Sequence, residues 1–164
     1  MSAHTLIKET DPILSTAAEE WNWEQDGEVA ELAKDMLKCM FENDGIGLAA
    51  PQIGISKRIF VMGNPQQSYI CVNPKILSGQ GQVKDQEGCL SFPGLWLHVN
   101  RYETIQVEYQ DILGKQHQRE FTGLIARVFQ HEYDHLDGVC FVNRVGELSL
   151  KLATRRRSKN LKRI

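Results

Sequence analysis

One short segment has residue types and a spacing that can do chemistry: His131-Glu132-Tyr133-Asp134-His135, an HExxH pattern. On a helix, positions i and i+4 lie one above the other, so His131 and His135 can offer ring nitrogens to a single metal ion. Glu132, one step round, can set its carboxylate beside a water held by that metal, the place of a general acid/base in metal-assisted hydrolysis. Catalytic sites of this kind use three protein ligands and keep a position for water. A third ligand is therefore required. The metzincin extension HExxHxxGxxH finds its glycine at Gly138, but Phe141 stands where its third histidine belongs. Glu147, 12 residues after His135, is poorly spaced for the downstream glutamate of other zinc proteases. The third ligand is expected upstream.

Four cysteines are present, and no CxxC pair, which disfavours a four-cysteine zinc cage. Cys89 is the leading ligand candidate, because it follows Gly88, where the backbone can approach closely. Cys71 and Cys140 lie in strand-like apolar runs and Cys39 on a helical stretch, so all three read as packing residues. Spacing alone leaves His98 and His117 open.

The elements that must carry these residues are readable in part. Val29, Leu32, Ala33, Met36, Leu37 and Met40 recur at helical spacing, predicting a helix over 27–43 with Asp26 as its cap. A second helix is predicted over 124–136, ended by Asp137-Gly138, with Leu124, Ile125, Val128 and Phe129 on its apolar face. It carries the HExxH segment. Strands are predicted over 57–62, 69–72 and 139–142, and 78–88 is polar and glycine-rich. Thr104 to Tyr109 alternates with Ile105, Val107 and Tyr109 on one face, and His117 to Phe121 returns after Asp111-Ile112-Leu113-Gly114, predicting a hairpin. Residues 147–163 are predicted helical. Strands and helices do not alternate strictly, which favours α+β over a doubly wound parallel sheet.

Length and composition set the frame. With 164 residues, 41% hydrophobic and 24% charged, the chain reads as one globular domain over 1–164. It has no run long enough for a membrane helix and no secretory leader at its start, so a cytoplasmic, reducing setting is expected and disulfides are not. The net charge of −2 conceals a basic tail: residues 151–164 hold seven basic side chains (Lys151, Arg155, Arg156, Arg157, Lys159, Lys162, Arg163) and no acid. Such a tail can touch a polyanion or solvate a terminal helix.

Three separated segments resemble the signature motifs of peptide deformylases: Gly45-Ile46-Gly47-Leu48-Ala49-Ala50-Pro51-Gln52, Glu87-Gly88-Cys89-Leu90-Ser91, and Gln130-His131-Glu132-Tyr133-Asp134-His135-Leu136-Asp137-Gly138. The similarity runs from about Asp11 to Val142. It implies antiparallel sheets packed around a central helix carrying HExxH, with an N-terminal helix and a C-terminal basic helix. It also implies removal of the N-formyl group from the initiator methionine of nascent polypeptides, releasing formate, with metal-bound hydroxide as nucleophile. Cys89, His131 and His135 would hold the metal and Glu132 would be the general acid/base. The Gln52 side chain and the Leu90 N–H would stabilise the oxyanion. Ile46 and Gly88 would hold the peptide backbone, with Gly47 leaving room for it, and Glu87 would pair with Arg101. The metal implied is Fe2+, with Zn2+, Ni2+ or Co2+ as substitutes.

Helix geometry adds Val128 and Leu124, three and seven residues before His131, to Ile46 as walls of a methionine slot. Arg127, four before His131, either sits at the slot's mouth or solvates the helix. The partners expected are nascent formylated chains and, through the basic tail, the ribosome; neither a membrane nor sequence-specific nucleic acid is expected. The setting expected is bacterial cytoplasm. Two other readings are an HExxH zinc peptidase and an inactive metal-bound homologue serving as a binding module.

Overall fold

The computed structural model describes residues 1–161. Its three helices are α1 (Ala30–Glu42), α2 (Leu124–Leu136) and α3 (Glu147–Leu161). Its strands are β1 (Gly47–Ala49), β2 (Ile59–Asn64), β3 (Gln67–Gln80), β4 (Val83–Cys89), β5 (Phe92–Arg101), β6 (Thr104–Gln110) and β7 (Gln116–Thr122). Five form an antiparallel sheet in the order β1-β2-β3-β6-β7, and β4 and β5 form a separate hairpin. The α+β expectation of antiparallel sheets around the HExxH helix holds.

β2 explains the layering. Ile59, Phe60, Val61 and Met62 are all fully buried, and successive strand residues face opposite sides of a sheet. Phe60 and Met62 pack with Val128 and Phe129 of α2, while Ile59 and Val61 pack with Met36, Cys39 and Met40 of α1. The Phe60 and Phe129 rings meet edge to face, with centroids 4.9 Å apart. A third cluster joins Leu95, Leu97 and Val99 of β5 to Leu14, Phe141 and Ala153, seating α3 against the hairpin.

α2 needs firm ends because it carries the histidines. Arg58, just before β2, donates to the Leu136 carbonyl at 2.9 Å and to Asp137 at 2.9 Å, satisfying part of the helix C-terminus. Gly138 then turns the chain at φ 73°, with Ser15 and Thr16 backbone atoms 2.8 Å from where a Cβ would sit. Only glycine meets both demands.

Several expectations need correction. Asp26 does not cap α1; it accepts from the Asn22 N–H and pairs with Lys57 at 3.0 Å, and the helix starts after Val29 with no side-chain cap. Residues 139–142 are not a strand: a short 3-10 turn over Phe141–Arg144 follows Cys140. The polar 78–88 stretch is mostly the end of β3 and all but the last residue of β4, and β5 was not predicted as a strand at all. Leu124 is 67% exposed, because it opens α2 beyond the sheet's cover. Lys162 and Arg163 of the basic tail lie outside the described residues. Arg157 pairs with Glu9 at 2.7 Å, whereas Lys151, Arg155 and Arg156 are exposed. No helix among the described residues is long and apolar enough to cross a membrane.

Candidate metal centre

Two elements converge on one point. α2 brings His131 and His135, and the β4–β5 hairpin brings Cys89, the last residue of β4. Cys89 pairs with Phe92 across the Leu90-Ser91 turn. The Cys89 sulfur and one ring nitrogen from each histidine lie within 4.8 Å of one another, with Sγ 3.4 Å from His135 Nε2. His98 is exposed on β5, and His117 pairs with Asp111 at 2.7 Å; neither joins the cluster. Phe141 presses its ring on His131 at 5.6 Å between centroids, so the metzincin position supplies packing and no ligand.

One thiol and two imidazoles suit a borderline divalent cation, and their surroundings fit one too. Glu87 Oε1 lies 2.9 Å from His131 Nδ1, which leaves the outward Nε2 of that ring to a metal. Burial opposes a charge on His131, yet the Cys89, Glu87 and Glu132 groups around it outweigh burial and draw a proton there. The pocket therefore attracts positive charge. His135, fully buried and beside His131, is held neutral, the form a ligand needs.

The Glu132 carboxylate is buried against the same cluster, and its Oε2 has no hydrogen-bond partner. Burial, offset by His131 and reinforced by Glu87, raises its pKa to about 7. Its other oxygen abuts Gly47 of β1: a Cβ there would collide with Oε1 and come within 2.8 Å of Val128. Gly47 is thus small for a steric reason.

Gln52 is 1% exposed in a 3-10 turn after β1. The Ala49 N–H donates to its Oε1 at 2.8 Å, which fixes the amide so that Nε2 points to Ser91 Oγ (3.0 Å) and Cys89 Sγ (3.5 Å). A cleft of about 740 Å3 opens over these groups. Ile46, Leu124, Val128, Gly88, Leu90 and Trp96 line it. The Trp96 ring covers Gly88, 2.7 Å from where a Cβ would sit.

Behind the histidines lies a buried ionic group. Arg101 forks onto Glu87 at 2.8 and 2.9 Å and reaches Asp134 at 2.6 Å, and Arg144 holds Asp134 from outside at 2.7 Å. Burial alone would raise the Glu87 pKa, but the Arg101 and His131 bonds win and hold it at about 2. The Glu87–Arg101 pair is the one the resemblance implies, whereas the sequence assigned no role to Ser91, Asp134 or Arg144 and left the placement of Arg127 open. Arg127 does not solvate the helix: it is 7% exposed, its side chain lines the cleft, and its guanidinium meets Glu87 at 2.6 Å. Asp134 carried a usable signal, being three residues beyond His131 on the same helical face.

A family model described as polypeptide deformylase matches residues 3–151. A peptide deformylase of Acidobacterium capsulatum is 40% identical over 161 residues, covering 95% of this chain and 94% of its own. The crystal structure of a peptide deformylase from Synechococcus elongatus in complex with actinonin superposes with a TM-score of 0.89 at 38% identity, over 96% of this chain and 87% of that one. A class I type b peptide deformylase from Acinetobacter baumannii, bound to Met-Ala-Ser, gives 0.82 at 34% identity, over 88% and 100%. With its three motifs converging on one cleft, this chain belongs to the polypeptide deformylase family.

Proposed function

We propose that Cys89, His131 and His135 hold the catalytic metal and that Glu132 moves the protons of the reaction. The reaction is the family's: removal of the formyl group from the N-terminus of nascent polypeptides, releasing formate. The observation that carries the assignment is an unpartnered, buried Glu132 oxygen beside a thiol and two imidazoles in one cleft. Held by Cys89, His131 and His135, a divalent cation would supply the Lewis acidity that lowers the pKa of water. Glu132 takes a water proton on its free oxygen as the water oxygen bonds to the formyl carbon, and returns it to the amine nitrogen as the C–N bond breaks. The Gln52 Nε2 and the Leu90 N–H stabilise the charge growing on the formyl oxygen. Ile46, Gly47 and Gly88 flank the peptide backbone, while Val128 and Leu124 wall the methionine side chain.

Ferrous iron is the metal proposed, on the resemblance of the three motifs; the donor set also accommodates Zn2+, Ni2+ and Co2+. Cytoplasm, where formylated chains leave ribosomes, is the setting proposed, and the exposed cations of α3 are proposed to meet the ribosome. Anaerobically purified protein should carry one equivalent of metal and release formate from formyl-Met-Ala-Ser. Metal-free protein that releases formate at the same rate overturns the reading.

Substitutions at two positions test individual roles. Gln52→Leu removes one oxyanion donor and should lower kcat by about 10²–10³, with KM little changed in steady-state assays. At Val128, buried between Gly47 and the cleft, Ala and Phe variants should reorder the preference among methionine, norleucine and phenylalanine in the first position. An unchanged ranking removes Val128 from the pocket.

A further inference from the structure

We propose that Arg127 is a positioning residue for the metal centre: it bolts the histidine helix to the cysteine hairpin and steadies the Glu87 carboxylate that orients His131. This rests on the reading of Cys89, His131 and His135 as metal ligands.

The cage is assembled from two elements far apart in the chain. Nothing in α2 itself fixes where Cys89 lies relative to His131 and His135. Arg127 lies one helical turn before His131, on the same face, and its guanidinium spans the gap. Nη2 donates to the Val83 carbonyl of β4 at 2.6 Å, and Nη1 donates to the Val99 carbonyl of β5 at 2.8 Å. One side chain of α2 thus holds both strands of the hairpin whose first strand ends at Cys89.

The same Nη1 donates to Glu87 Oε2 at 2.6 Å. Glu87 is then gripped on every side: Oε1 by His131 Nδ1 and Arg101 Nη2, Oε2 by Arg101 Nε and Arg127 Nη1. Two carboxylate oxygens offer about four acceptor positions, and these four contacts use them. Arg101 forks onto both oxygens from one side, and Arg127 adds a second donor to Oε2. Charge agrees, since the buried Glu87 and Asp134 face the buried Arg101 and Arg127. The residue must be arginine, because the single nitrogen of a lysine cannot stand at both Nη positions. Its head is fully engaged while the side chain lines the cleft, so the wall stays apolar beside a buried cation.

The test uses Co2+-loaded wild type, Arg127→Met and Arg127→Lys. Methionine keeps an unbranched stem along the cleft wall and removes the fork; lysine keeps the charge. The readouts are Co2+ loss to excess EDTA, the visible Co2+ spectrum, the melting point of the metal-free protein, and kcat and KM on formyl-Met-Ala-Ser. Partners that orient a ligand typically change metal affinity by about 10–100-fold. Arg127→Met should lose Co2+ faster by that factor, with altered Co2+ bands and an unchanged KM, and Arg127→Lys should fall between. A lowered melting point with wild-type Co2+ loss and spectrum marks a merely structural role and overturns the proposal. If the methionine variant does not fold, wild-type Co2+ loss in Arg127→Lys overturns it equally. Wild-type protein that binds no Co2+ overturns the ligand reading as well; a wild type that holds Co2+ while both variants match it overturns the role of Arg127 alone.

Discussion

Glu132→Gln should abolish most turnover and, in the metal-free protein, raise stability. The two effects share one cause. The carboxylate is fully enclosed, with one oxygen against Gly47 and the other unpartnered, and burial lifts its pKa from 4.5 to about 7. A base poised there can take a proton and return it, and such groups contribute about 10²–10⁴ in rate. Glutamine keeps the shape and cannot move the proton, so kcat should fall by that factor while metal content stays at the wild-type level. Stability runs the other way. The folded pKa lies above the unfolded one, so ionising Glu132 costs the folded state: the penalty begins above pH 4.5 and is complete above about 7. The shift corresponds to on the order of 3 kcal/mol. Denaturant melts of metal-free Glu132→Gln should show a gain approaching that size at pH 8 and none at pH 4. A gain independent of pH would refute the burial argument, and full activity would remove Glu132 from the reaction.

What could be read from the sequence follows from which interactions are local. The HExxH spacing is a property of one helix, and α2 occupies the span predicted from its apolar periodicity. The alternation of Ile105, Val107 and Tyr109 likewise placed β6 and its hairpin with β7. The β4–β5 hairpin escaped because β4 is mostly exposed and polar, so no buried face marks it. β5 does alternate from Leu95 onward, but proline and glycine at 93 and 94 obscured its start. The site divides the same way. Resemblance supplied Cys89 and Gln52, whereas spacing could only nominate a cysteine. Arg127 escaped because its partners are mostly backbone carbonyls of distant strands, which no side-chain pattern announces. Leu124 and Val128 share a helix face, but only Val128 is buried, since burial depends on what the sheet covers.

Glu87→Gln should be strongly destabilising although it conserves shape. The substitution leaves volume intact and removes one charge from a cluster in which Arg101 and Arg127 are 5% and 7% exposed. Breaking a buried pair by removing one partner typically costs about 3–5 kcal/mol, because the surviving charge stays buried without compensation. Here two guanidiniums lose their shared counter-charge, so the loss at pH 7 belongs in that range. The dependence on pH identifies the charge as the cause. Glu87 titrates at about 2 in the folded protein against 4.5 as a free group. Its contribution is therefore complete above pH 4.5 and disappears as pH falls toward 2. Wild type and variant should differ most at pH 7, converge through that window, and meet near pH 2. The variant should also release metal faster, since the amide must present either a donor or a neutral acceptor to His131 Nδ1, where the carboxylate offered a full negative charge. A constant difference across pH 2–7 would mean that shape, not charge, holds Glu87 in place, and the argument for a buried ionic frame behind the metal would fail.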